Sequence, residues 1–250
     1  MRIGIIGTGN IGGTIARKLI EAGHDVRVAN AHGVAGAQRL AGEIGAKADS
    51  VEGVVQGVEV VVLAIPLPAM RELPAGLFAA VPADVTVIDT SNYYPGMRDD
   101  RIAEIDEGMA ESVWVSRQIG RPVIKAFNSV LAYTLAELGQ PEGALGRLAI
   151  AVAGDEASSK QVAMELVNQT GFDPVDAGTL EQSWRQQPST PAYCCDYDAV
   201  AMRAALAAAV KGDAAYKRDQ MPALFAELGP APTHADIIAM NRKLNSSLYS

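Results

Sequence analysis

Three glycines, Gly7-x-Gly9-x-x-Gly12, set between an apolar run and a helical pattern, constrain this chain more than any other stretch. Ile3 to Ile6 lead straight into the first glycine. Ile11, Ile15, Ala16, Leu19 and Ile20 then recur at three- and four-residue steps up to Gly23. This spacing predicts strand, tight turn and helix. The glycines differ in what they permit. Gly7 allows the turn, Gly9 lets a pyrophosphate approach the backbone, and Gly12 lets helix and strand pack closely. The helix start offers free N–H groups and a positive dipole end to phosphate. A lone glycine triplet is a weak signal. The strand before it, the helix after it and a second strand over 25–30 supply the context. The competing reading is a glycine-rich turn in some other α/β protein.

Strand and helix patterns keep alternating. A helix is expected over 34–44, a short strand over 46–48, and a helix from Ser50, an N-cap, to about Gln56. Residues 59–65 are almost wholly apolar, which reads as a central parallel strand buried on both faces. Pro66 and Pro68 stop it, and a helix near 69–80 should follow. Further strands are expected over 84–89, 122–127, 147–153 and 172–176, with helices over 112–118, 129–138 and 156–170. The sequence therefore predicts a Rossmann-type doubly wound parallel sheet of about eight strands. After Gly178 the character changes: residues 198–210 are alanine-rich, breaks are expected at Gly212 and Pro222, and a last helix over 237–248. The expected division is a nucleotide-binding domain, 1–178, and a small helical domain, 179–250, contributing the acceptor site or oligomer contacts.

The net charge of −8 argues against nucleic acid or an anionic membrane as a partner. No apolar run approaches the roughly 20 residues of a membrane span. The amino end reads as a strand and not a signal peptide, so a cytoplasmic protein is expected. Cys194 and Cys195 are the only cysteines; sequence neighbours rarely form an unstrained disulfide, and they read as buried, reduced thiols. His24, His32 and His234 lack ligand spacing, so no metal is expected. The alanine-rich tail has few large side chains to bury alone, which favours a homodimer.

NAD-binding chains of this kind usually place a carboxylate at the end of the second strand, on the ribose 2′-hydroxyl. Here that position reads Asn30-Ala31-His32-Gly33. Nothing there repels a 2′-phosphate, and His32 or Arg39 could meet one. NADP is favoured over NAD.

Gly7 to Gly12, Val87-Ile88-Asp89-Thr90-Ser91-Asn92-Tyr93-Tyr94-Pro95, Lys125-Ala126-Phe127-Asn128 and Asp176-Ala177-Gly178-x-Leu180 together resemble the NADP oxidoreductases dependent on the deazaflavin coenzyme F-420. The Lys-Ala-Phe-Asn segment is similar to one in the cytosolic domain of the STEAP metalloreductases. The likeness covers about residues 1–185. It implies direct hydride transfer between the nicotinamide and a planar flavin- or deazaflavin-like small-molecule electron acceptor, with the protein supplying position and electrostatics. It also implies that Thr8, Asn10 and Ile11 hold the pyrophosphate and that Ile65 and Pro66 line the nicotinamide side. Lys125, Ala126 and Asn128 would frame the reaction face, and Gly178 and Leu180 would approach the acceptor ring. The family typically has Ser-Arg where this chain has Ala31-His32, which removes a permanent charge from the 2′-phosphate site.

Each candidate has a plainer reading. Lys125 either steadies an anionic acceptor or is an ordinary strand-end lysine. Asn128 either bonds the carboxamide or caps the next helix. Tyr93 and Tyr94 are either a platform for a planar ring or loop aromatics packed on the sheet. Trp184, with Arg185 and two glutamines, suits a pocket or a subunit interface. A β-hydroxyacid dehydrogenase would need a catalytic Lys with Asn four residues on; Lys160 and Lys211 have none. The alternatives to the hydride-transfer reading are a reductase of another small acceptor and a dinucleotide-binding sensor or scaffold without turnover.

Overall fold

The computed structural model describes residues 1–246. Six strands form one parallel sheet: β1 (Arg2–Ile6), β2 (Asp25–Ala29), β3 (Lys47–Ala48), β4 (Val60–Leu63), β5 (Thr86–Asp89) and β6 (Ile124–Lys125), in the order β3-β2-β1-β4-β5-β6. That 3-2-1-4-5-6 order is the doubly wound arrangement of dinucleotide-binding sheets, with its reversal point between β1 and β4. Register follows burial: Ile3, Ile5, Val60 and Val62 are fully buried and lie side by side.

Helices flank the sheet on both faces. They are α1 (Asn10–Glu21), α2 (Gly33–Ile44), α3 (Val51–Val54), α4 (Ala103–Asp106), α5 (Glu111–Ile119), α6 (Ala132–Glu137) and α7 (Ala157–Gln169). Ser50 caps α3 by accepting from the Gly53 N–H, as the sequence suggests. Two apolar clusters fill the faces, one around Ile15, Leu19 and Phe172, the other around Leu63, Trp114 and Val115.

Two expectations need correction. The eight strands do not make one parallel sheet. β7 (Ala149–Val152) and β8 (Asp173–Asp176) pair with each other in parallel, but Ala153 bridges to Lys125 in the antiparallel sense. The pair therefore runs opposite to β6, and its carboxyl end points to the other side of the molecule. The helix expected near 69–80 is a 3-10 turn over Leu67–Glu72, followed by turns. Pro68 is tolerated at its start, whereas Pro74 has no N–H to continue it.

Beyond β8 no strand occurs among the described residues. A 3-10 segment, Glu181–Gln186, leads to a buried stretch over 188–195, and then to α8 (Ala199–Ala208), α9 (Asp213–Asp219), α10 (Met221–Glu227) and α11 (His234–Leu244). The chain breaks between α9 and α10 at Gln220, and Pro222 sits in the first turn of α10, where proline fits. Thr233 and Asp236 close a capping box that starts α11 earlier than apolar spacing suggests. Residues 247 and 248 of the expected last helix lie outside the described residues.

Candidate functional site

Gly7 lies at φ +110, and a methyl built on it would overlap the Ala64 carbonyl group. A methyl on Gly12 would overlap the Gly7 carbonyl oxygen and lie 2.9 Å from the Ala64 Cβ. These two glycines let α1 sit on β1 and β4. Gly9 differs: a methyl there meets nothing within 4 Å. Gly9 is the N-cap of α1 and has no side chain to occupy the first-turn donors; the first helical bond is Gly13 N–H to Gly9 O. The N–H groups of Asn10, Ile11 and Gly12 thus have no partner within the helix. An open glycine above free, dipole-aligned donors fits a diphosphate group.

The end of β2 is tied to this turn. Asn30 Nδ2 donates to Thr8 Oγ1 at 2.9 Å, and the His32 N–H donates to Asn30 Oδ1 at 2.9 Å. Ala31 and His32 are exposed, and no carboxylate stands between Asn30 and Gly33. Arg39 is paired with Glu43 at 2.9 Å on the outer face of α2. Ile65 is half-buried and Pro66 exposed where β4 ends, next to the Gly7 turn. The structure thus brings Gly7, Thr8, Gly9, Asn10, Ile11, Gly12, Asn30, Ala31, His32, Ile65 and Pro66 to one edge.

The remaining candidates stand elsewhere. Lys125 is 0 % exposed. Its ammonium donates to Asp89 Oδ2 at 3.1 Å and to the Ser91 carbonyl, and faces no cleft. Asp89 is as deeply buried and also accepts from Ser91 N–H (2.9 Å), Ser91 Oγ (2.6 Å) and Ser112 Oγ (2.6 Å). Glu111, the first residue of α5, is the third charge, with Oε2 3.9 Å from the Lys125 Nζ. Burial, only partly offset by the Lys125 ammonium, pushes its carboxyl up to about 7.

Ala126 is buried, and Phe127 sits in the left-handed region at φ +63. Asn128 neither caps a helix nor faces the edge. Its Nδ2 donates to Asn92 Oδ1 (3.0 Å) and to the Gln186 carbonyl (2.7 Å), and its Oδ1 accepts from Gln186 Nε2 (3.0 Å). Gln186 thus meets both ends of the Asn128 carboxamide and covers the face expected to be open. Tyr93 is core, not platform: its hydroxyl accepts from the Ile102 N–H at 2.7 Å and donates to Asp106 Oδ1 at 3.3 Å. Tyr94 is half-buried, its hydroxyl bonded to that of Tyr193.

Gly178 and Leu180 lie away from the glycine turn. The Gly154 N–H donates to the Gly178 carbonyl (3.0 Å), and the Leu180 N–H donates to Asp155 Oδ1 (2.9 Å). Asp155 shares a 570 Å³ cavity with Asp84, Val85, Arg121 and Pro122, at the amino ends of β5 and β6. The reversed direction of β7 and β8 explains the misplacement. Trp184 returns toward the carboxyl ends and lines a smaller cavity with Glu111 and Gln187.

Sequence reasoning missed Glu111 and Gln186. Glu111 reads as a solvated first-turn acid, and Gln186 as one of two loop amides. Asp89 left a signal, a carboxylate closing an otherwise apolar strand. Cys194 and Cys195 are both buried free thiols. Among the described residues no group of three or more His, Cys, Asp or Glu is placed to hold a metal. No described helix is long and apolar enough to cross a membrane.

The family model for "NADP oxidoreductase coenzyme F420-dependent" matches residues 2–93. Protein YjhV of Escherichia coli (strain K12) is 53% identical over 105 residues, 42% of this chain and 77% of that protein. Protein SMa0349 of Sinorhizobium meliloti superposes with a TM-score of 0.61 at 28% identity, over 75% of this chain and 89% of its own. An Arthrobacter sp. FB24 protein, provisionally named an F420-dependent NADP-reductase, gives 0.61 at 20% identity, covering 73% of this chain and 86% of that one. An imine reductase from Bacillus cereus BAG3X2 gives 0.54 at 15% identity, over 99% of this chain and 72% of that one. The last two show the fold. In class, the protein is an NAD(P)-dependent oxidoreductase. Within that class, the chain belongs to the NADP oxidoreductase, coenzyme F420-dependent, family.

Proposed function

We propose that this oxidoreductase passes a hydride directly between NADP(H) and a flavin- or deazaflavin-like ring. The observation that carries the reading is the open Gly9 above the uncapped start of α1, beside Ile65 and Pro66 at the end of β4. Bound NADPH supplies the hydride. Thr8, Asn10 and Ile11 hold the diphosphate through backbone donors. Asn30 fixes the loop that presents Ala31 and His32 to the adenosine ribose. Ile65 and Pro66 form an apolar wall against the nicotinamide and keep water from it. Lys125 and Asn128 act as positioning residues: they pin the loops after β5 and β6, whose backbone borders the same edge. The acceptor lies on the Trp184 side of that edge.

Residues 1–178 form the nucleotide-binding part of this proposal, and 179–250 the part that closes over it. Assembly as a homodimer and a cytoplasmic location belong to it too, with neither nucleic acid nor membrane as partner. The test is NADPH mixed with a panel of flavins, deazaflavin, ferric chelates, small carbonyls and imines, followed at the nicotinamide absorbance band. Acceptor-dependent loss with flavin or deazaflavin supports the proposal. Loss only with a carbonyl or imine replaces the acceptor; tight binding without turnover makes the protein a sensor.

A further inference from the structure

Residues 183–189 run as a strap over the loops that follow β5 and β6. Gln186 ties the strap down. Its Nε2 donates to Asn128 Oδ1 (3.0 Å) and to the Ala151 carbonyl (3.2 Å), and its own carbonyl accepts from Asn128 Nδ2 (2.7 Å). Other features oppose closure. Ser183 Oγ, Gln186 Oε1 and Ser189 Oγ are buried with no hydrogen-bond partner, and Ser189 sits in the left-handed region at φ +71. Water would satisfy those oxygens if the strap lifted, so each of them favours the lifted state. Low local stability of this kind marks the parts of a fold that open on their own.

What the strap covers is a buried carboxyl. Gln187 bonds to Glu111, and Trp184, Gln187 and Pro188 line a cavity of about 180 Å³ with it. Glu111 is 1% exposed. The charged and titratable groups that face it are Asp89 on β5, Lys125 on β6, Arg218 on α9 and Tyr94 in the loop after β5. Lys125 serves Asp89 at 3.1 Å and stands 3.9 Å from Glu111. Arg218 lies 3.6 Å from Asp106 and 3.5 Å from Asp219. Both cations are thus committed to other acids, and a second buried carboxylate without its own cation is strongly disfavoured. We propose that the strap is a proton-coupled gate: it closes over neutral Glu111, and when it lifts Glu111 gives that proton to water. The covered carboxyl sits at about 7 and a solvated one at the ordinary 4.5, so closure takes up a proton across that interval. Acid therefore holds the strap shut, and neutral pH loosens it. That a lifted strap admits the acceptor rests on the hydride-transfer reading; the motion itself does not.

The experiment is hydrogen exchange between pH 5 and 8, read by mass spectrometry on the full chain without NADPH and corrected for intrinsic exchange rates. Peptides spanning 183–190 report the strap, and peptides spanning β4 report global unfolding. The strap's opening constant should rise about fortyfold from pH 5 to 7 and no more than about twofold from pH 7 to 8. It should exceed that of β4 at every pH. In Glu111→Gln, which keeps the shape and cannot ionise, it should vary by less than about twofold over the whole range. Should Glu111→Gln fold poorly, the two peptides of the parent decide. The proposal falls if the strap's opening constant is level from pH 5 to 7, if strap and β4 are equally protected, or if Glu111→Gln keeps the parent's slope.

Discussion

Gly9→Ala and Gly12→Ala should behave differently, although both remove a glycine of one motif. At Gly12 a methyl would run into the Gly7 carbonyl oxygen and approach Ala64 Cβ, so α1 must lift off the sheet. Overpacking of this kind costs about 1–3 kcal/mol. For a chain of this length that lowers Tm by roughly 2–12 °C. At Gly9 a methyl meets only open space, and φ is −75, which alanine accepts. Losing glycine flexibility in the unfolded chain gains about 0.4–1 kcal/mol. Losing a favoured N-cap residue costs a similar amount. Tm of the free protein should therefore stay within about 2 °C. Binding is different, because the new methyl stands where a diphosphate must approach the α1 donors. Loss of one charge-assisted hydrogen bond, about 1.5–3 kcal/mol, weakens NADPH by roughly ten- to a hundredfold. Thermal unfolding without ligand and calorimetric titration with NADPH measure the two effects separately. The reasoning fails if Gly9→Ala binds NADPH like the parent, or if Gly12→Ala melts with it.

Three further outcomes follow from the buried charges and thiols. Glu111 has a folded pKa raised by burial to about 7, from an ordinary value of 4.5. Its contribution is fully present below pH ~4.5 and is lost as pH rises through ~7, a fall of about 3 kcal/mol. Urea titrations from pH 5 to 8 should show this slope in the parent and a flatter profile in Glu111→Gln; equal slopes would refute it. Lys125→Met leaves the Asp89 carboxylate buried without its cation and should cost about 3–5 kcal/mol. Adding Asp89→Asn should recover part of that loss, and a double-mutant cycle showing simple additivity would contradict the pairing. Burial also raises the thiols, Cys195 to about 12 and Cys194 further. A thiol reagent at pH 8 should label neither in the native protein and both in denaturant; rapid native labelling would show that the segment opens.

How much was legible follows from how local each signal is. The glycine turn, the Ser50 cap and the buried apolar strand at 60–63 are encoded within a few residues of themselves, and all stand as read. The link from β6 to β7 is a single antiparallel bridge between residues 28 apart. No local pattern announces it, yet it decides on which side Gly178 and Leu180 lie. Lys125 illustrates a second limit. Its position at a strand end is readable, but the direction of its side chain depends on Asp89, Ser91 and Glu111, brought together only by packing. Asn128 is similar: its partners Asn92 and Gln186 lie 36 and 58 residues away. Tyr93 was ambiguous because an aromatic after a strand suits either a platform or a core, and a buried donor, Ile102 N–H, settled it.

The central claim is that the amino end of α1 cradles the diphosphate of NADP and points the nicotinamide past Ile65 and Pro66. A crystal structure of the protein grown with NADP tests it most directly. The account predicts diphosphate oxygens about 3 Å from the N–H groups of Asn10 and Ile11, with Gly9 beneath them. A nucleotide bound instead in the opposite cavity, beside Asp84 and Arg121, would contradict it.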